Sequence, residues 1–127
     1  DLGKNVENVD CWDIFSYCYS LRLTEVNFPY AKMRRVSFPG TDTRLRVPIS
    51  RLVFHPDSPF DQKGDANHIN IKYCRFERKG LVELFELLPD FSGGTTRQID
   101  ITGNPGAEEL TEEERQIATD KNWIIVG

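Results

Sequence analysis

Two short segments of this chain follow one apolar pattern and begin 30 positions apart. The first, INIKYC, occupies residues 69–74, and the second, IDITGN, occupies residues 99–104. In each segment two isoleucines alternate with polar residues, which indicates a strand with one buried face. We expect Asn104 to bond with backbone groups of neighbouring strands, and Cys74 to replace it as a small packing residue. A unit this short cannot bury its own apolar face, so the repeat predicts units that stack side by side.

The chain between these segments predicts an amphipathic helix. Its apolar side chains recur at the i, i+3, i+4 and i+7 spacing that lines one helical face. They are Leu81, Leu84, Phe85 and Leu88. Pro89 follows and ends the helix, because proline has no backbone N–H to donate. Strands that alternate with helices in this way indicate an α/β fold.

A second helix is predicted after residue 104. Thr111 and Glu114 have the spacing of a capping box, in which the threonine oxygen accepts from a free backbone N–H and the glutamate reaches back. Asn122 suits the left-handed residue that ends a helix. Residues 123–126, WIIV, predict a final strand. The pattern leaves open whether its odd-numbered or even-numbered residues face inward.

The segment from residue 21 to residue 54 predicts short strands, which are marked by apolar pairs at alternate positions. The pairs are Leu21 with Leu23, Val26 with Phe28, Val36 with Phe38, and Leu52 with Phe54. Spacings of 16 and 17 residues separate Val36, Leu52 and Ile69, which leaves room for loops or single 3-10 turns rather than helices. These strands either stack in parallel or form antiparallel hairpins, with Gly40 in one turn.

The N-terminal part predicts one more helix. Asp10 is a suitable N-cap, and apolar residues in the segment 11–19 cover most of a helical circumference. Residues 1–10 are mostly polar and leave room for one short strand. We therefore expect an irregular N-terminal half with short strands and few helices.

Composition indicates one globular domain over residues 1–127. Charged residues make up 28% of the chain and hydrophobic residues 39%, and no apolar run approaches the ~20 residues that span a bilayer. The net charge of −4 favours no particular partner. The three cysteines form neither a CxxC motif nor a Cys/His cluster, so we interpret them as small buried hydrophobic residues and expect no metal and no cofactor.

Candidate catalytic and metal-binding groups are few. His68 is near Cys74 in sequence, but nothing supplies an orienting acid or oxyanion donors at a recognisable spacing. Asp57, Asp61 and Asp65 recur every four residues, unlike the alternating acids of a calcium loop. We therefore expect a protein that is not an enzyme.

Residues 32–51 carry six basic side chains and one acidic one. Because the basic residues flank apolar positions such as Val36 and Phe38, the pattern favours a solvent-facing row over a nucleic-acid surface. An acidic ligand or partner is the second interpretation. If all the strands stack in parallel, their outward side chains form one ladder, and repeat proteins use such rigid, broad surfaces for binding. The predicted ligand-binding residues on this ladder are Arg35, Arg51, His55, Asn70, Lys72, Asp100 and Thr102.

The same segments resemble leucine-rich repeats. Residues 69–74 and 99–104 look like the strand core of such repeats, and residues 101–126 are similar to the closing repeat of BspA-like surface proteins from gut Bacteroides-type bacteria. Residues 81–90 fit the helix before that repeat. IFSYCYSL, at residues 14–21, resembles a joint of the irregular BspA-like repeats.

This resemblance implies a short solenoid, a right-handed β-α superhelix of leucine-rich-repeat type. It also implies an extracellular or cell-surface protein without catalytic residues, which binds a protein or a glycan through its concave β-face. The chain would be the whole mature protein or the C-terminal part of a longer one. The alternative is a structural segment that caps the C-terminal end of a longer repeat protein and has no ligand of its own.

Overall fold

The structure, a computed structural model, describes residues 8–12, 24–28, 30, 32–55, 57–58 and 68–127. The strands in these parts are β1 (Asn8–Trp12), β2 (Glu25–Phe28), β3 (Lys32–Ser37), β4 (Arg51–Phe54), β5 (His68–Asn70), β6 (Arg97–Asp100) and β7 (Trp123–Val126). The helices are α1 (Arg78–Leu87), α2 (Glu112–Thr119) and a 3-10 helix at Ala107–Glu109.

Five strands form one parallel sheet in the order β1-β3-β5-β6-β7. The inward-facing residues of its last four strands lie in line, because Val36 pairs with Ile69, Ile69 with Ile99, and Ile99 with Ile125. The remaining strands, β2 and β4, pair in parallel in a second sheet. The two strands of the 30-residue repeat are therefore neighbours in one sheet, as the sequence predicts.

The chain alternates between two layers. In the five-stranded sheet, β1 is followed along the chain by β2, β3 by β4, β5 by α1, and β6 by α2. These four following elements belong to the other layer. In that layer α1 contacts β4, and α2 contacts α1. The predicted α/β class is therefore confirmed, as a mixed fold of parallel strands and helices.

A hydrophobic core lies between the layers and takes side chains from both. Its fully buried members include Phe28, Val36, Leu52, Phe54, Ile69, Leu81, Phe85 and Ile99. Burying each such side chain contributes about 1.5–3 kcal/mol before conformational entropy is counted. This core fixes which face of the five-stranded sheet points outward.

Both predicted C-terminal helices are confirmed. The apolar stripe of α1 is buried, and the helix ends just before Pro89. At the start of α2 the Glu114 N–H donates to Thr111 Oγ1 over 3.1 Å, and the Thr111 N–H donates to Glu114 Oε1 over 2.9 Å. Asn122 has a φ of 68°, the left-handed conformation expected after α2. No helix among the described residues is long and apolar enough to cross a membrane.

Two predictions for the N-terminal half are wrong. Cys11 and Trp12 do not begin a helix after Asp10, because both belong to β1, which pairs with β3. The antiparallel hairpins are also wrong, since every pairing between described strands is parallel. The remainder of that predicted helix and the strand predicted at residues 21–23 lie outside the described residues.

Candidate functional site

The outward face of the five-stranded sheet carries the predicted recognition residues of β5 and β6. In residues 69–72, and again in residues 99–102, the isoleucines at odd positions are buried and the residues between them are half-buried. Successive side chains of a strand point to opposite faces, so the half-buried residues share the face that points away from the core. They are Asn70, Lys72, Asp100 and Thr102.

These four side chains lie side by side. Asn70 pairs in register with Asp100. Beyond the strands, the Tyr73 N–H donates to the Thr102 carbonyl over 2.7 Å, which sets Lys72 beside Thr102. Because paired strands lie about 4.8 Å apart, one ligand of modest size can contact all four residues.

Two matching turns hold this surface in shape. Asn70 Oδ1 accepts from the Lys72 N–H over 3.2 Å, and Asp100 Oδ1 accepts from the Thr102 N–H over 3.0 Å. Each bond joins a side chain to the backbone two residues on, which is the Asx turn that Asn and Asp favour. The Lys72 ammonium makes no ion pair within the described part of the chain. The surface is thus rigid, with its cation available to a ligand.

Asn104 supports these turns from inside the fold. Its buried amide nitrogen donates to the carbonyls of Ile71 over 2.8 Å and Ile101 over 3.0 Å, and its oxygen accepts from the Phe76 N–H over 2.9 Å. At the equivalent position Cys74 is buried, with its thiol 3.3 Å from the Phe38 carbonyl oxygen. The roles predicted for both residues are confirmed.

Arg35 lies on the same surface, on β3, which is the neighbour of β5 on the side away from β6. It precedes Val36, which pairs with Ile69, and it is half-buried. Ser37, the next outward residue of β3, pairs with Asn70 and is buried. The predicted ladder therefore extends from β6 across β5 to β3.

Arg51 and His55 do not belong to this ladder, which corrects the prediction. β3 pairs directly with β5, whereas Arg51 lies on β4 and His55 follows it, in the second sheet. Arg51 donates to Glu83 on α1 over 2.7 Å and to Glu25 on β2 over 3.2 Å, which raises the pKa of its guanidinium. It therefore links three elements of the other layer.

Two outward residues are not among the predicted ligand-binding residues. Gln98 on β6 pairs with Ile124 on β7, and both are exposed, Ile124 by 54%. Trp123 is buried, so the odd-numbered residues of the final strand face the core. The register to residues 97–100 decides this orientation, and the four letters WIIV alone do not reveal it.

Among the residues considered for catalysis, Cys74 is the one whose side-chain surroundings the structure describes. Burial raises the pKa of the Cys74 thiol, so the reactive thiolate is disfavoured. Within the described residues, no three His, Cys, Asp or Glu side chains group closely enough to hold a metal ion. Asp61 and Asp65 of the considered calcium loop lie outside those residues.

Comparison with known proteins adds no relative. No protein-family model, no curated protein and no solved structure gives a significant match to this chain.

Proposed function

We propose that this chain is a non-enzymatic binding module, of leucine-rich-repeat type, from a bacterial surface or secreted protein. It recognises a protein or a glycan through the outward face of the five-stranded sheet, which is the concave face of the proposed solenoid. The regular alternation of the chain between two layers supports this interpretation, since leucine-rich repeats return to the same sheet once per repeat.

One observation carries the proposal. Polar and charged side chains of three neighbouring strands stand in register on a face that the core does not use. On β5, β6 and the residues that follow them, the face combines a cation, a carboxylate, an amide and a hydroxyl within the width of one strand spacing. Such a mixture of hydrogen-bonding groups suits a polar ligand whose affinity depends on salt.

A paired substitution tests the proposal. The purified chain is screened against immobilised mucin glycans and extracellular-matrix proteins at low and high salt. For a ligand that binds, Lys72→Glu should weaken binding about tenfold, because an attractive charge becomes repulsive. Arg51→Glu makes the same charge change in the second sheet and should leave the affinity within about twofold. Equal effects of the two substitutions, or no binding by the folded chain, would contradict the proposal.

A second candidate function is structural, as the closing coil of a longer repeat protein. A side chain from beyond α2 satisfies two of the last carbonyls of α1. Lys121 Nζ donates to the backbone carbonyl of Phe85 over 3.0 Å and to that of Glu86 over 2.8 Å. The last carbonyls of α2 are instead satisfied by the turn that follows it, where the Lys121 N–H donates to the Ala118 carbonyl over 3.0 Å and the Asn122 N–H donates to the Thr119 carbonyl over 3.0 Å. A coil that completes its own hydrogen bonds suits the end of a stack.

Sedimentation of the isolated chain separates the two candidates. A binding module should be a stable monomer, because its core is already covered by its own two layers. A segment that serves only to close a longer stack should self-associate or unfold alone, because its other end is built to be covered.

A further inference from the structure

The last strand, β7, borders an open groove on the side away from β6. The groove lies between the β7 edge and the side of α2 that carries residues 112, 115, 116 and 119. Ile124 and Ile125 line it from the strand. No described strand pairs with this edge of β7. The groove thus borders an unpaired edge of β7 and is lined by both apolar and polar side chains.

The hydrogen bonds to β6 show which backbone groups face the groove. The Arg97 N–H donates to the Asn122 carbonyl over 3.1 Å, and the Ile101 N–H donates to the Val126 carbonyl over 2.9 Å. Backbone groups alternate in direction along a parallel strand, so the even-numbered residues of β7 face β6. The N–H and C=O of Ile125 therefore point away from β6 and into the groove, where an added strand can bond to both.

The charges at one end of the groove specify part of an occupant. Arg115 lines that end, but its guanidinium already donates to the carbonyls of Gly127 over 3.0 Å and Ala107 over 2.8 Å. Glu112 lines the same end, is exposed and makes no ion pair with a described residue. Glu113 beside it is also exposed. An incoming chain therefore meets two carboxylates and one guanidinium, a net charge of −1 (1 − 2), near the C-terminal end of β7.

We propose that the β7 edge binds an extended apolar segment of a partner protein by strand addition. The segment runs parallel to β7, as all the paired strands here do, with a β-branched residue opposite Ile125 and a lysine or arginine following it, near Glu112. Backbone bonds provide the affinity in this mode, and the side-chain contacts provide selectivity. This site is distinct from the outward face of the sheet, although Ile124 adjoins both.

A fluorescent peptide, acetyl-Ser-Thr-Ile-Val-Ile-Thr-Lys-amide, tests the proposal by anisotropy. We expect saturable binding. Methylating alternate backbone nitrogens should weaken it about tenfold or more, because each lost hydrogen bond changes an affinity about fivefold. Replacing the peptide's lysine with glutamate should weaken binding about threefold. Equal binding of the methylated peptide, or no binding of the parent peptide, would overturn strand addition.

Protein variants test the location. Ile124→Ser should weaken peptide binding about tenfold by removing an apolar contact. Gln98→Ser, at the paired exposed position on β6, should leave it unchanged, and so should Lys72→Glu. A chain whose sedimentation shows a dimer that Ile124→Ser disperses would overturn the assignment of a separate partner, because the occupant would then be a second copy.

Discussion

The Asn104 side chain joins three backbone groups in the interior of this fold. Replacing Asn104 with alanine leaves the buried Phe76 N–H without its acceptor and removes one of the two hydrogen bonds that each of the Ile71 and Ile101 carbonyls accepts. We therefore predict that Asn104→Ala lowers the free energy of unfolding by about 3 kcal/mol. Asn70→Ala, which removes one bond from a half-buried turn, should cost about 1 kcal/mol or less. Urea unfolding measures both. Equal losses would contradict the bridging role of Asn104.

Gly106 lies against the beginning of α1. A Cβ there would collide with the backbone of Glu77 and Arg78, which has no flexible end to move aside. We predict that Gly106→Ala costs about 2–3 kcal/mol, as overpacked positions do. Gly94→Ala is the matched control, because its Cβ would meet only the Phe91 carbonyl oxygen at 3.4 Å. Thermal unfolding that shows the same loss for both would contradict the close approach.

The sequence reveals these two residues to different degrees. The role of Asn104 follows from the local pattern, because a turn residue after two buried isoleucines must face the strand ends. The requirement at Gly106 depends on the start of α1, nearly one repeat earlier in the chain. A local sequence pattern does not show which distant backbone segment packs so closely against a glycine that a Cβ atom would not fit.

At the scale of elements, Glu114 connects the two helices. It accepts from the Thr111 N–H within α2 and from Arg78 Nε on α1 over 2.9 Å. The Arg78 side chain and, to a smaller extent, the Thr111 backbone lower the pKa of Glu114. A carboxyl whose folded pKa lies below its unfolded pKa stabilises the fold above the unfolded pKa, and this contribution disappears as the pH falls through the folded value.

We therefore predict a stability loss between about pH 5 and pH 3 to which Glu114 contributes. Glu114→Gln should be less stable than the parent chain at pH 7, and should lose less stability across that acid range. Glu113→Gln, a change of the same charge at an exposed neighbour, should keep the parental pH profile. Urea midpoints at a series of pH values measure this. A profile for Glu114→Gln parallel to that of the parent chain would refute the coupling.

The placement of β4 shows why a strand can be predicted correctly and assigned to the wrong sheet. Leu52 and Phe54 alternate as a half-buried strand should, and they are buried. The same pattern fits a strand in either layer, so it does not identify the partner strand. Val36 and Ile69, which pair, are 33 positions apart (69 − 36), close to the 30-residue repeat. β4 therefore lies in the connection between two neighbouring strands of the five-stranded sheet, and not in that sheet.

At the scale of the whole molecule, the two layers separate basic residues that lie close together in the sequence. The basic residues of the segment 32–51 divide between them, with Arg35 on the outward face and Arg51 bound to acids of the second layer. Exposed ion pairs of this kind stabilise a fold by about 1 kcal/mol or less. Arg51 therefore serves the second layer, and the proposed recognition surface is smaller than the predicted ladder.

We propose that ligands bind on the outward face of the five-stranded sheet, and amide NMR tests this proposal most directly. A ligand from the screen is titrated into labelled protein while the backbone shifts are followed. We predict that the largest shift changes cluster at Asn70, Lys72, Asp100 and Thr102. Changes that instead cluster at Arg51 and Glu83, or along β7 and α2, would contradict the account.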